Sequence, residues 1–405
     1  MSTLSIDEAR KIVLEAQGLT KSSAESAGKG ASLKVIERLG YVQIDTISVV
    51  ERAHHHVFWT RNNEYQPEDL GRLMAEKSVF EYWSHAASIL PMKDFRFSLP
   101  RKKLYASGKK HWGSDLGGQK KIRNKILSTI KEEGPKASKD FEEEVRGKKS
   151  GWWDWKPQKQ VLEQLFMEGQ LMVRQRQGFQ KIYDLPSRVL PSNLDMSFPS
   201  EKEMAKYLVE IALKAHGIIR VEEISYLRSK QRALVEMVTQ EMLKSGELIE
   251  VKVESIHKPY FARPRFTKDL DSLQIRSGFQ FLSPFDNQII QRRRLKELFN
   301  FDYSIECYLP EGKRKFGYFS LPIMESGQFV GRMDAKAHRL NKELEMKSVH
   351  FESSKWKLSE FKILAQRDLE SFAKFNGCNK IFWPAKRTSG FSAKGHQHRV
   401  VNSTP

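Results

Sequence analysis

Cysteine is nearly absent: Cys307 and Cys378 are the only 2 in 405 residues. That excludes a disulfide framework and a cysteine-ligated zinc site, and it fits a reducing compartment. Long apolar runs are also missing. None reaches the ~18 residues that a membrane-spanning helix requires. The opening Met1-Ser2-Thr3-Leu4-Ser5 lacks the basic-then-apolar order of a signal peptide. The expectation is a soluble, cytoplasmic protein with no membrane association. Acid is scarce relative to base, with 50 Asp+Glu against 69 Lys+Arg and a formal net charge of +19. An excess of that size points to a polyanionic partner, nucleic acid before acidic membrane. Hydrophobic content of 39% with 11% aromatics supports packed cores, so the charge does not belong to a disordered basic tail. The length predicts two to four domains.

Along the chain, Ser5 and Glu8 predict a capped helix that ends at Gly18, and a second helix covers about 31–39. After Gly40 a short strand alternates Val42 and Ile44 against Gln43 and Asp45. Residues 68–84 read as helix. Residues 93–112 form a basic stretch, with Lys93, Arg96, Arg101, Lys102 and Lys103 interleaved with Phe95, Phe97 and Tyr105. From 119 to 185 the order is helix, helix, helix, then two strands around Gly178, which is the order of a winged helix. The order recurs from 200 to 263, where Leu248–Val253 pairs with Lys258–Arg263, and the N-terminal segment reads as a degenerate third copy. Beyond 280 the texture becomes short β runs, at 303–308, 316–322, 328–332 and 344–351, then a helix over 359–376 and a polar tail. The predicted fold class is α+β: three tandem winged-helix modules (1–115, 116–198, 199–275) forming a concave surface. A small antiparallel β domain with a terminal helix (276–384) and the tail (385–405) complete it.

Gln43 and Asp45 share one face of the predicted strand. An amide that donates and accepts, beside a carboxylate that takes a proton or faces a cation, is the smallest kit for activating water at an electron-poor carbon. Half-buried strands with two polar residues are more often plain solvent-exposed edges. Basic residues on the second and third wings (Arg174, Arg176, Lys181; Lys252, Lys258, Arg263) would lie on phosphates, with third helices entering the major groove. The alternative is a solvated basic face. His54-His55-His56, read as strand, could converge at most two rings on one metal, and no Asp or Cys sits at a familiar ligand spacing. A surface or phosphate-facing role is the expectation, and no metal. Trp152-Trp153-Asp154-Trp155 reads as packing before base stacking. Glu81, His85 and Asp286 each read as a cap or buried hydrogen-bond partner before an active-site support. Gly331–Lys336 reads as a turn-like polar insertion, touching DNA backbone or closing a hairpin.

Five stretches in this order carry a resemblance: Val42–Thr46, Glu81–His85, Ser150–Pro157, Leu282–Asp286 and Gly331–Lys336. On them the chain resembles the YcaQ/AlkZ-type winged-helix DNA glycosylases, nearest the branch that unhooks interstrand crosslinks. The family's catalytic motif is Gln, an apolar residue, then Gln or Asp; here it reads Gln43-Ile44-Asp45. The resemblance implies three tandem winged helices and a C-terminal β domain. Its implied activity is hydrolysis of the N-glycosidic bond of cationic N7- or N3-alkylated purines, crosslinks included, in base excision repair. Gln43 and Asp45 would be catalytic. Arg52, just beyond the motif, His54 and Arg332 join the wing residues as candidate DNA contacts. No cofactor is expected, the partner is double-stranded DNA carrying such lesions, and a three-module surface needs no second copy, so a monomer is expected. With no lysine beside the motif, a monofunctional glycosylase is expected. The rival reading is a non-catalytic tandem winged-helix regulator, which explains the charge but not the carboxylate–amide pair; a metal nuclease, which should cluster its carboxylates, ranks third.

Overall fold

Two helices begin where reciprocal caps are written in the sequence. Ser5 Oγ accepts from the Glu8 backbone N–H at 3.2 Å while the Ser5 N–H donates to Glu8 at 2.7 Å, and the helix Ile6–Ala16 follows. Ser200 and Glu203 do the same for Glu201–His216. Such a pair satisfies donors that the first turn leaves orphaned and places acids at the positive end of the helix dipole. This computed structural model describes residues 2–21, 30–109, 119–141, 157–267 and 270–384. Its contacts divide the chain into two units, residues 1–277 with 282–303, and residues 278–281 with the chain from 304 onward. The class is α+β.

In the first unit one element order occurs three times. The first copy is the helix Ala31–Leu39, the strand Val42–Gln43, the helices Ala53–Arg61 and Pro67–Ala75, and the hairpin Val79–Trp83/Ala87–Pro91. The second, among the described residues, is Lys120–Glu133, Lys136–Ala137, Ser138–Phe141, Pro157–Glu168 and the hairpin Met172–Gln177/Gln180–Asp184. The third is Glu201–His216, Ile218–Ile219, Val221–Ile224, Arg232–Lys244 and the hairpin Ile249–Val253/Tyr260–Ala262. Each short strand pairs antiparallel with the second strand of its own hairpin: Val42 lies opposite Ile89, Lys136 opposite Tyr183, and Ile219 opposite Phe261. The third copy closes on Leu208, Val209, Leu213, Val235, Val238 and Met242 from its two long helices. Burying each such side chain stabilises by about 1.5–3 kcal/mol.

Two expectations for the first copy are corrected. The helix expected over 68–84 stops at Ala75, and Val79–Trp83 is a strand. Lys77 turns the chain out of the helix at φ 57°, and the β-branched and aromatic run that follows buries Val79, Phe80, Glu81 and Tyr82 in succession. The helix Ile6–Ala16 does not open the first copy either. It lies against Glu201–His216, and the strand Ser2–Leu4 runs parallel to Ile249–Val253, extending the third sheet.

The second unit is a five-stranded sheet in the order Phe279–Phe281, Leu321–Glu325, Gln328–His338, Glu343–Phe351, Lys380–Phe382. All pairs are antiparallel except the last. Phe361 and Phe372 pack edge-on or tilted against Phe279, Phe281 and Phe351. The helix expected over 359–376 is two, Leu358–Leu364 and Gln366–Phe375, and no strand forms at 303–308. Gly331–Lys336 is not a turn. It is the middle of the 11-residue strand Gln328–His338, because the hairpin turns earlier, at Ser326 and Gly327, both with positive φ. The tryptophan cluster at 152–155 and the tail lie outside the described residues. No described helix is long and apolar enough to cross a membrane.

Candidate active site

The site begins at a glycine. Gly40 caps Ala31–Leu39 in the left-handed conformation, φ 76°, where a side chain would collide with Ile211 on the facing helix. Glycine therefore allows the chain to leave the helix hard against the third copy and turn straight into Tyr41-Val42-Gln43. Ladder pairing continues one residue past the strand, as Ile44 N–H donates to the Ala87 carbonyl at 2.8 Å. Val42 and Ile44 are buried, and Gln43 and Asp45 are half-buried, the alternation in burial that the sequence predicted.

Asp45 lies just past the strand. Its Oδ1 accepts from the Ile47 N–H at 2.8 Å. Burial pushes its carboxyl above the usual 3.8, while the Ile47 and Thr46 amides pull the other way; no cation is among the groups acting on it. A carboxylate held only by backbone amides, partly out of water, stays basic and keeps acceptor capacity for a ligand. Gln43 is met by His85, whose Nε2 lies 3.0 Å from Gln43 Oε1. His85 stands in the turn between Val79–Trp83 and Ala87–Pro91. Tyr41 meets its ring edge-on at 5.0 Å, with Tyr226 at 6.3 Å. Burial, reinforced by the nearby Arg228 guanidinium, pushes His85 down to about 4, so the ring is neutral near pH 7. Arg228 also donates to Ser84 Oγ at 2.7 Å, and Arg101 donates to the Ser84 carbonyl at 3.3 Å. A cavity of about 70 Å³ reaches this cluster, lined by Tyr41, His85, Tyr226 and Arg228 among others. Arg228 was not legible as a site residue: it is 144 residues from Ser84, with no local pattern to mark it.

The other candidates divide. Glu81 is 2% exposed and accepts both arms of Arg176, at 2.8 and 2.7 Å, with Lys181 at 3.8 Å. Lys181 also donates to Glu163 at 2.8 Å. Phe179, at the tip of the second hairpin, lies under the guanidinium carbons of Arg176 and Arg52, at 4.4 and 5.1 Å. Arg52 caps Ala53–Arg61, and its buried Nε has no hydrogen-bond partner among the described residues. The three histidines are helical, not extended, which corrects the strand reading, and His54 and His56 are buried rather than surface-facing. Burial holds His54 well below its usual value, so it adds no positive charge near pH 7. Asp286 is a buried partner: it takes both arms of Arg61, at 2.7 and 3.0 Å, and caps Asn287–Ile290 through Gln288 N–H. Arg332 is 2% exposed, paired with Glu352 at 2.6 Å and stacked on Phe316. Arg174 is half-exposed beside Asp184, Lys258 half-exposed beside Glu222, and Lys252 exposed.

A family model described as DNA glycosylase AlkZ-like matches residues 36–372. The chain belongs to the AlkZ-like DNA glycosylase family. Membership makes it a DNA glycosylase, a hydrolase of DNA repair whose substrate is DNA. Among solved structures, DNA glycosylase AlkZ from Streptomyces sahachiroi is similar in fold, with a TM-score of 0.62 over 95% of this chain and 100% of that one at 16% identity. In this AlkZ-like chain the half-buried amide and carboxylate lie within the matched region.

Proposed function

We propose that the protein hydrolyses the N-glycosidic bond of purines made cationic by alkylation at N7 or N3, including those tethered in interstrand crosslinks. Alkylation makes the base a good leaving group, so departure calls for little acid catalysis. The C1′–N bond breaks with its electron pair going to the base, and the sugar acquires oxocarbenium character. Asp45 stabilises that cation; water adds to C1′ and gives its proton to Asp45, while Gln43 holds the water by hydrogen bonding. The reaction ends on water rather than on a lysine, which makes the enzyme monofunctional. The observation that carries this reading is the state of Asp45: half-buried, unpaired with any cation among the described residues, raised in pKa, and two residues from an amide already held in place.

The threefold element order reads as three winged helices that bind duplex DNA as a monomer. Arg52, Arg174, Lys252 and Lys258 are the proposed phosphate contacts. Arg176, Lys181, His54 and Arg332 are engaged or buried, and act on the fold rather than on DNA. A base inside a crosslink cannot leave the duplex freely, so a crosslink substrate favours an open groove over an enclosing pocket.

The test uses duplex DNA carrying N7-methylguanine in EDTA, with hot-alkali cleavage of abasic sites. Wild type should release base, and Asp45→Asn should lower turnover by about 10²–10³-fold with DNA affinity nearly unchanged. Equal losses of rate and binding would remove Asp45 from catalysis. Binding without base release from any alkylated or crosslinked duplex would favour a non-catalytic DNA-binding protein.

A further inference from the structure

Gln43 has two chemically different ends, and the turn of the first hairpin selects between them. We infer that His85 is a positioning residue that fixes the Gln43 amide with its oxygen turned inward, so that Gln43 meets the substrate as a hydrogen-bond donor only. This rests on the glycosylase reading above and assigns the division of labour inside it.

The imidazole is neutral near pH 7 and so carries one N–H and one lone pair. Its Nε2 faces Gln43 Oε1 at 3.0 Å, which two acceptors could not share; the N–H is therefore on Nε2. The turn cannot easily swing away. Arg101 and Arg228 hold Ser84 by its carbonyl and its hydroxyl, Ser84 N–H donates to the Ala86 carbonyl at 2.9 Å, and Tyr41 closes on the ring from the side. Tyr41 is fixed in turn, since its carbonyl accepts from Asn287 at 3.1 Å.

With Oε1 turned toward His85, the other end of the Gln43 amide is its NH2 group. Asp45 has one oxygen on the Ile47 amide and offers acceptors. The pair is then complementary toward one water: the amide N–H donates to the water oxygen, one water hydrogen goes to Asp45, and the remaining lone pair forms the bond to C1′ as the base departs with its electrons. A reversed amide would compete with Asp45 for the water's hydrogens and leave its oxygen unanchored.

Single-turnover base release separates this role from others. His85→Ala should slow the step by about 10- to 100-fold, the scale of one positioned hydrogen bond. His85→Gln, which keeps a donor, should restore most of the rate. His85→Glu, an acceptor, should not. In a Gln43→Ala background His85→Ala should cost nothing more, because both changes remove one unit. Additive losses would overturn the inference, since they would mean that His85 acts on the substrate itself or on the fold. The imidazole tautomer, read by long-range 15N–1H NMR with His85→Gln identifying the signal, needs no substrate. The Nε2–H form is expected and the Nδ1–H form overturns the inference. If wild type released no base, the function reading would fail, and the tautomer would still decide this one.

Discussion

Glu81 and Asp45 are two carboxylates of the same repeat treated in opposite ways. Glu81 is almost sealed from water, and a guanidinium and an ammonium from the second hairpin meet it there. Asp45 is only half-buried, yet among the described residues it has backbone amides and no cation. The first arrangement neutralises charge and ties two repeats together. The second leaves a base that is partly desolvated and still open. Burial alone does not mark a reactive carboxylate; burial without a counter-charge does.

The contrast makes opposite demands on substitution. Glu81→Gln strands Arg176 in a site only 13% exposed, and should cost about 3–5 kcal/mol of stability in urea denaturation. Glu81→Leu with Arg176→Met should recover much of that loss, and failure to do so would mean that the pair is not what holds the hairpin. Asp45→Asn should do the reverse: stability equal to or above wild type, with turnover lost. Because burial raises the carboxyl above 3.8, Asp45 holds its proton longer folded than unfolded, so its contribution to stability falls as pH rises from about that value through its folded pKa. The acid limb of kcat/KM should therefore lie above an ordinary carboxylate's and vanish from the residual activity of Asp45→Asn. A limb at 3.8 or below would mean that Asp45 is solvated like any surface acid.

Smaller effects separate charge that is engaged from charge that is available. Lys252→Ala should leave stability within ~0.5 kcal/mol and reduce the salt slope of DNA binding by about 1. Arg174→Ala should weaken binding across sequences in the same way, and an unchanged slope would count against a phosphate contact there. Lys258 and Glu222 form an exposed pair at 3.1 Å, and breaking it should cost less than about 1 kcal/mol.

Local chemistry was the legible part. The cap at Ser5, the turn at Gly178 and the alternation around Gln43 all depend on neighbours within a few residues. Residues 79–83 were misread because a run buried on both faces has no period by which to tell strand from helix. The engagement of Arg176 by Glu81 was hidden for another reason. On the sequence it is one more cation on a basic wing, and its partner lies 95 residues away. The excess of +19 says that a polyanion is wanted, not which cations face it. His85 and Gln43 were each visible, but the bond that makes them one device forms only when the hairpin closes.

The strand Ser2–Leu4, paired with Ile249–Val253, sets an order of assembly. A ribosome delivers the first strand about 250 residues before its partner, an interval of tens of seconds at about 5–20 residues per second. Until then that strand and the helix behind it have no sheet to join, while the first two repeats can already close. The third repeat is therefore the last to be completed and the one that takes up the chain's beginning. Its failure would leave Ser2–Leu4 and the facing edge of Ile249–Val253 unpaired at once.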